Sequence, residues 1–317
     1  MRTESPLEVA VGVLHNSADE VLIAWRDAHR HQGGCWEFPG GKIEPGEPAL
    51  AALTRELDEE LGVQVLDAEP LIRIPHQYDD RAVILHVYTV RAWQGEPHGA
   101  EHQALAWRRP NALSAQDFPP ANGAIITALR LPRHYVVSAD ASDPEGWLGE
   151  LDATLARGER LLQFRVAGDD GTRAMLAREA LARCHQQGAE LMINSDFRLA
   201  AEIGADGVHM NSHQLAQGID RPVGFRGWLS AACHSPADLK RAADQRADFA
   251  VLSPVAATPS HPHGSPLGWA QWARWVAEAR LPVYALGGLH PSDGPLARRH
   301  GAQGIAAIRS LWGQLSG

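Results

Sequence analysis

Three glutamates, Glu56, Glu59 and Glu60, fall within a window of five residues directly after Arg55. Carboxylates held about 4 Å apart repel by roughly 4 kcal/mol at an effective dielectric near 20, so such a cluster calls for either bulk solvent or a divalent cation. Oxygen-only ligands suit magnesium or manganese. An acidic run alone is ordinarily a solvated helix face. Here Gly40, Gly41 and Glu47 precede the cluster and Gly62 follows it, a spacing that suggests a loop bringing backbone close to a ligand and a helix presenting acids to it. The helix is predicted over Ala49 to Leu61, with Pro48 tolerated at its start and Gly62 ending it in a left-handed conformation. Leu50, Leu53, Leu57 and Leu61 would form its apolar stripe, with the three glutamates together about a quarter-turn away.

Gly41, Glu47, Arg55, Glu56, Leu57, Glu59, Glu60, Gly62 and Val63 occupy every position of the Nudix box, and the chain resembles MutT-type Nudix hydrolases, the 8-oxo-dGTP diphosphatases. The resemblance continues through VAVGVL, EFPGGKIE, WQGEPHGAEHQ and DFPPAN, and covers roughly residues 7 to 132. It implies a Nudix α/β/α sandwich with a mixed sheet. The implied activity is hydrolysis of 8-oxo-dGTP to the monophosphate and pyrophosphate, which sanitises the nucleotide pool; another nucleotide is the alternative. It also implies Mg2+, for which Mn2+ could substitute, held by the Gly40 carbonyl, Glu56, Glu59 and Glu60, with Glu101 as a further ligand or base. Glu56 is the candidate base, Glu101 the runner-up, and Arg55 would orient Glu56. Matching positions contact the nucleotide at Arg26, His31, Glu37, Phe38, Pro39 and Gly40, with Arg81 near the base.

Asn122, in DFPPANGAIITALRL, has two readings: a cap for the helix that follows, or a reader of the base. In 8-oxoguanine N7 carries a hydrogen, so one amide can accept from N7–H while donating to O6. Ordinary guanine offers two acceptors there. Losses of roughly 10⁴ are attainable when buried polar groups are left unpaired.

Around the box, Val9 to Leu14 and Val21 to Trp25 read as strands joined by the polar turn HNSADE into a hairpin. A strand near Leu71 to Pro75 and another from Ala82 to Trp93 would complete the mixed sheet. The stretch Leu131-Pro132-Arg133 closes a first domain, residues 1–132. From 133 to 317 short apolar runs alternate with helical spacing: HYVVSAD, LLQFRVA, ELMINS, DGVHM, WLSAACH, FAVLSPV, PVYALGG and GIAAIRS. Eight strands so interleaved imply a (β/α)8 TIM barrel with its active face at the strand C-termini. The chain as a whole reads as α/β in two domains.

The second half resembles the thiamine phosphate synthase and TenI family through LLQFR, INS, GADGVHM, SPVAATPS and ALGGL, in that order. It departs from the synthases where they carry charge: Ala167 and His261 stand where lysines are expected, Ser195 where an aspartate follows Asn194, and Gln214 in place of an acidic ligand. Pyrophosphate and magnesium handling are thereby called into question. A phosphate seat remains, at Gly287 and Gly288 after strand seven with Ile308 and Arg309 after strand eight, so a phosphorylated ligand is expected. Thiamine synthesis by the barrel is the competing enzyme reading, and a noncatalytic module the third. His209, His234, His261 and His263 lack metal-ligand spacing.

Composition narrows the partners. With 29 basic and 38 acidic residues the net charge is −9, which argues against stable binding of duplex nucleic acid and for a free nucleotide. Cys35, Cys184 and Cys233 are odd in number and without CxxC spacing, as expected of reduced thiols in a cytoplasm rather than a disulfide or zinc framework. The N-terminus shows no apolar signal core, and no run of about 18 apolar residues suggests a membrane span.

Overall fold

The computed structural model describes residues 5–29, 32–219, 221–258 and 265–313. His31, His261 and His263 lie outside them. The chain divides into two compact units, Met1–Arg130 and Leu131–Gly317.

In the first unit the order is β1 (Leu7–Leu14), β2 (Val21–Arg26), β3 (Cys35–Glu37), β4 (Gly40–Lys42), α1 (Ala49–Leu61), β5 (Gln64–Gln77), β6 (Ala82–Gln94), β7 (Leu105–Arg108) and α2 (Gly123–Arg130). These strands form a mixed four-stranded sheet, β4-β1-β6-β5, and a three-stranded one, β3-β2-β7. In β1 the period-2 alternation of a strand serves two cores at once. Ala10 and Leu14 pack with Leu53, Leu57 and Leu61 of α1, while Val11 and Val13 pack with Ile125 and Ile126 of α2.

Two expectations change. The turn after β1 does not make a hairpin of β1 and β2: one bridge, His15 to Val21, joins them before they part into different sheets. Both edges of β1 are taken, by β4 antiparallel and β6 parallel, so β2 pairs with β3 and β7 instead. The stripe on α1 is also shorter than predicted, since Ala52, Leu53, Leu57 and Leu61 are buried but Leu50 is 46% exposed. Leu50 shares their face but stands in the first turn, where the stripe outruns what it packs against.

In the second unit strands β8 (His134–Val137), β9 (Leu161–Phe164), β10 (Glu190–Asn194), β11 (Gly207–Met210), β12 (Trp228–Cys233), β13 (Phe249–Leu252), β14 (Val283–Leu286) and β15 (Gly304–Ala307) close into a parallel barrel. They alternate with α3 (Pro144–Ala156), α4 (Asp170–Gln186), α5 (Phe197–Ile203), α6 (Ser212–Gln217), α7 (Pro236–Asp244), α8 (Gly268–Val276) and α9 (Gly294–Arg299). The interior is filled by side chains from several strands, as a closed barrel requires: Tyr135 of β8, Phe249 of β13 and Tyr284 of β14 meet with ring centroids 5.4 to 5.7 Å apart. Among the described residues no helix is long and apolar enough to cross a membrane.

Candidate functional site

The turn between β3 and α1 is shaped by close approach. Gly40 has φ +141°, and a Cβ there would collide with the Ala10 carbonyl; a Cβ on Gly41 would collide with the Glu56 carboxylate. Only glycines let β4 lie against β1 and the first helical acid at once. The Pro39 carbonyl accepts from Gly12 N–H at 2.8 Å, which pins the turn to the sheet.

Arg55 is held in a fork. Its Nε and Nη2 donate to the two Glu47 oxygens at 3.1 and 3.0 Å, Nη2 also to the Lys42 carbonyl at 3.0 Å, and Nη1 to Glu56 Oε1 at 2.7 Å. The Glu47 carboxyl is held below its usual range by these bonds. Bidentate charge-assisted geometry of this kind fixes orientation, so the box spends Glu47 on Arg55 and Arg55 on Glu56.

Glu60 points elsewhere and accepts from Gly40 N–H at 3.1 Å. Burial pushes its carboxyl up to about 7 against the pull of that N–H, and Glu37, Glu101 and Glu56 push in the same direction. Glu60 thus feels three other carboxylates at one place. Glu59 is turned away, 3.6 Å from Arg55 and 62% exposed. Among the described residues no three His, Cys, Asp or Glu side chains close into a metal-holding group, because Arg55 draws Glu56 and Glu59 while Gly40 holds Glu60. The donors nevertheless suit a divalent cation, whose charge would relieve the repulsion that raises Glu60.

Glu101 arrives by a loop that sequence reasoning left without a mechanism. His98 N–H and Ala100 N–H donate to the carbonyls of Leu61 and Glu60, at 3.1 and 3.0 Å. Gln103 completes the clamp: its Nε2 donates to the Glu60 carbonyl at 3.0 Å, and its Oε1 accepts from Glu101 N–H at 2.9 Å. One amide therefore ties the end of α1 to the loop carrying Glu101. Gln103 lies inside the WQGEPHGAEHQ match, but a glutamine in a polar loop carries no signal of its own.

Of the residues expected to contact a nucleotide, Arg26 pairs with Glu37 at 2.7 Å. Phe38 and Phe118 are both buried and stack with centroids 5.4 Å apart. Asn122 ends a single 3-10 turn, Pro120–Asn122, directly before α2. It is 8% exposed, and no side-chain hydrogen bond of its amide occurs among the described residues. Tyr78 was not anticipated: burial raises its hydroxyl, which the backbone of the neighbouring Ala121 hydrogen-bonds and the Arg26 charge influences. Arg81 sits in the β5–β6 turn, 45% exposed and 3.0 Å from Asp80, so it is not gathered with the others.

In the barrel, Gly287, Gly288, Ile308 and Arg309 line a cavity of about 570 Å³ at the strand C-termini, together with Gln163, Arg165, Asn194 and His209. Gln214 is spent on structure: it forms a capping box with Asn211 on α6 and donates to the Ser195 carbonyl at 2.8 Å.

The NUDIX domain family profile matches residues 10–128, and that of the thiamine monophosphate synthase family matches residues 134–311. An 8-oxo-dGTP diphosphatase of Escherichia coli is 40% identical over 124 residues, 39% of this chain and 96% of the relative. A CTP pyrophosphohydrolase of the same organism is 34% identical over 122 residues, 38% of this chain and 90% of the relative. A putative thiamine-phosphate synthase 2 of Aquifex aeolicus is 32% identical over 181 residues, 57% of this chain and 97% of the relative.

Proposed function

The chain belongs to the Nudix family in its first unit and to the thiamine monophosphate synthase family in its second, and we propose that the first unit hydrolyses 8-oxo-dGTP to 8-oxo-dGMP and pyrophosphate. The observation that carries this reading is the buried Asn122 amide, without a side-chain partner among the described residues, at the end of the Phe38–Phe118 side of the domain. Such an amide can satisfy N7–H and O6 of the oxidised base together, and it opposes a lone pair on ordinary guanine.

Nudix hydrolases depend on a divalent metal, and here Glu56, Glu60 and the Gly40 carbonyl, with Glu59 and Glu101 nearby in sequence and fold, are the groups that would hold it, Mg2+ by preference. When bound, the metal neutralises phosphate charge and favours deprotonated water. Glu56 accepts a proton from the water that attacks phosphorus, with Arg55 fixing the carboxylate by its 2.7 Å bond. Arg26 and Glu37 flank the entry to the same turn. Turnover of 8-oxo-dGTP, dGTP, CTP and 8-oxo-GTP measured side by side tests the proposal, and equal kcat/KM for 8-oxo-dGTP and dGTP would sink it.

For the barrel we propose a phosphorylated ligand at Gly287, Gly288, Ile308 and Arg309, without thiamine phosphate synthesis. The departures at Ala167, Ser195, Gln214 and His261 remove the groups that would stabilise a departing pyrophosphate. Formation of thiamine phosphate from its two precursors by the purified chain would overturn this.

A further inference from the structure

The turn that carries Asn122 is short of donors. Pro119 and Pro120 have no backbone N–H, so Ala121, 2% exposed, presents the first one. A buried N–H needs an acceptor. The hydroxyl of Tyr78 supplies it, from the turn that follows β5. That turn is itself fixed: Tyr78 N–H donates to the Arg81 carbonyl at 2.9 Å, and the Tyr78 carbonyl accepts from Gln77 Nε2 at 2.6 Å. The Tyr78 ring stands edge-on to His76 with centroids 4.4 Å apart and packs against the core that holds Phe38, Phe118 and Ala121. A phenol oxygen is thereby built in against the residue before Asn122.

A hydroxyl has a single hydrogen to give and lone pairs with which to accept. Tyr78 spends a lone pair on the Ala121 N–H, so its hydrogen is directed to another acceptor. Along one edge of 8-oxoguanine stand O6, N7–H and O8. The Asn122 amide can serve the first two, which leaves O8 in need of a donor. Ordinary guanine carries C8–H at that place, and C8–H accepts no hydrogen bond.

Resting on the 8-oxo-dGTP reading of the first unit, we infer that Tyr78 is a second specificity-determining residue, whose hydroxyl, held beside Asn122 by the Ala121 N–H, donates to O8 of the oxidised base. Asn122 then reads the proton that oxidation places on N7, and Tyr78 reads the added oxygen itself. Ordinary guanine meets both with the wrong polarity: a lone pair faces the amide oxygen, and a C–H faces the phenol O–H. Each mismatch leaves a polar group unpaired in a closed site, which is where discrimination is strongest.

The test is a double-mutant cycle on the full chain in Mg2+, with kcat/KM for 8-oxo-dGTP and dGTP measured for the unsubstituted chain, Tyr78→Phe, Asn122→Ala and the double variant. Phenylalanine keeps the ring and removes only the oxygen. Tyr78→Phe should lower the preference for 8-oxo-dGTP over dGTP roughly tenfold, with the loss falling on 8-oxo-dGTP. It should do so by a similar factor in the Asn122→Ala background, because the two side chains meet different atoms of the base. Tyr78→Leu is the second variant should Tyr78→Phe unfold, as judged by circular dichroism. A preference that survives removal of the hydroxyl overturns the inference. So does an equal loss on both nucleotides, or an effect that vanishes in the Asn122→Ala background, since either reduces Tyr78 to a prop for the turn. Absence of any preference in the unsubstituted chain overturns the 8-oxo-dGTP reading itself, and no variant is needed to see it.

Discussion

The two candidate sites have opposite electrostatics. The Nudix turn gathers Glu37, Glu56, Glu60 and Glu101 until burial and mutual repulsion raise Glu60 to about 7, so it invites a cation that phosphate can share. Among the described residues the barrel mouth holds two arginines and no acid, and it presents the cation itself. Preorganised protein charge is enough to bind an anion, whereas displacement at phosphorus needs the concentrated positive charge of a metal and an activated water. The comparison therefore separates a site built to gather a cation from one that presents cations of its own.

The largest effect should come from removing the charge that gathers the cation. Glu60→Gln should reduce 8-oxo-dGTP turnover by on the order of 10³ or more and weaken Mn2+ binding in a titration of the full chain. Near-normal values for both would dissolve the contrast between the units.

Next in size is selectivity. Asn122→Ala should lower the preference for 8-oxo-dGTP over dGTP by roughly 100-fold, because only the oxidised base uses the N7–H contact. Comparing kcat/KM for the two nucleotides decides the matter. Equal loss on both would assign Asn122 to the helix start that it precedes.

A smaller effect is expected from Gln103, a positioning residue that sequence reasoning did not find. Gln103→Ala should lower turnover roughly tenfold by freeing the Glu101 loop, with KM for nucleotide little changed and Mn2+ affinity reduced. Gln103→Glu can still accept from Glu101 N–H but cannot donate to the Glu60 carbonyl, so it should not restore function. Unchanged Mn2+ affinity in Gln103→Ala would reduce the residue to a loop tether.

What the sequence disclosed follows from how local each feature is. The helix from Ala49 to Leu61, its Gly62 terminus and the eight barrel strands are written in short windows, by periodicity and punctuation. The fate of β2 is not, because the polar turn after Leu14 cannot reveal that β4 and β6 already occupy both edges of β1. Exposure of Leu50 likewise depends on where its packing partner ends. In the candidate site, the motif singled out Glu56, Glu59 and Glu60, of which Glu60 stands on the Gly40 turn and Glu59 turns away to solvent, and a base-pairing argument singled out Asn122, which is buried. Gln103 and Tyr78 act through single hydrogen bonds to distant backbone, at Glu60 and Ala121, for which composition and spacing leave no trace.

The smallest expected effect, on stability, has opposite signs in the two units. Burial raises the Glu60 carboxyl from 4.5 to about 7, so the folded state prefers it protonated. That stabilisation is fully present below about pH 4.5 and is lost as pH rises through about 7. Burial lowers His209 from 6.5 to about 4, so the folded state prefers it neutral, and its contribution is present above about pH 6.5 and lost as pH falls toward 4. Each shift corresponds to at most about 3 kcal/mol, less where water relaxes the site. The two windows, about pH 4.5 to 7 for Glu60 and about pH 4 to 6.5 for His209, overlap, so in EDTA the contributions should nearly cancel and leave thermal unfolding of the full chain almost flat between about pH 4.5 and 6.5. Glu60→Gln should uncover the histidine, so that stability falls as pH drops from about 6.5 toward 4, and Mg2+ on the unsubstituted chain should do the same, because a cation replaces the proton at the carboxylate cluster. His209→Asn should uncover the glutamate, so that stability falls as pH rises from about 4.5 through 7. A Glu60→Gln profile as flat as that of the unsubstituted chain, or a His209→Asn profile that Mg2+ leaves unchanged, would show that the two sites do not divide the electrostatics in this way.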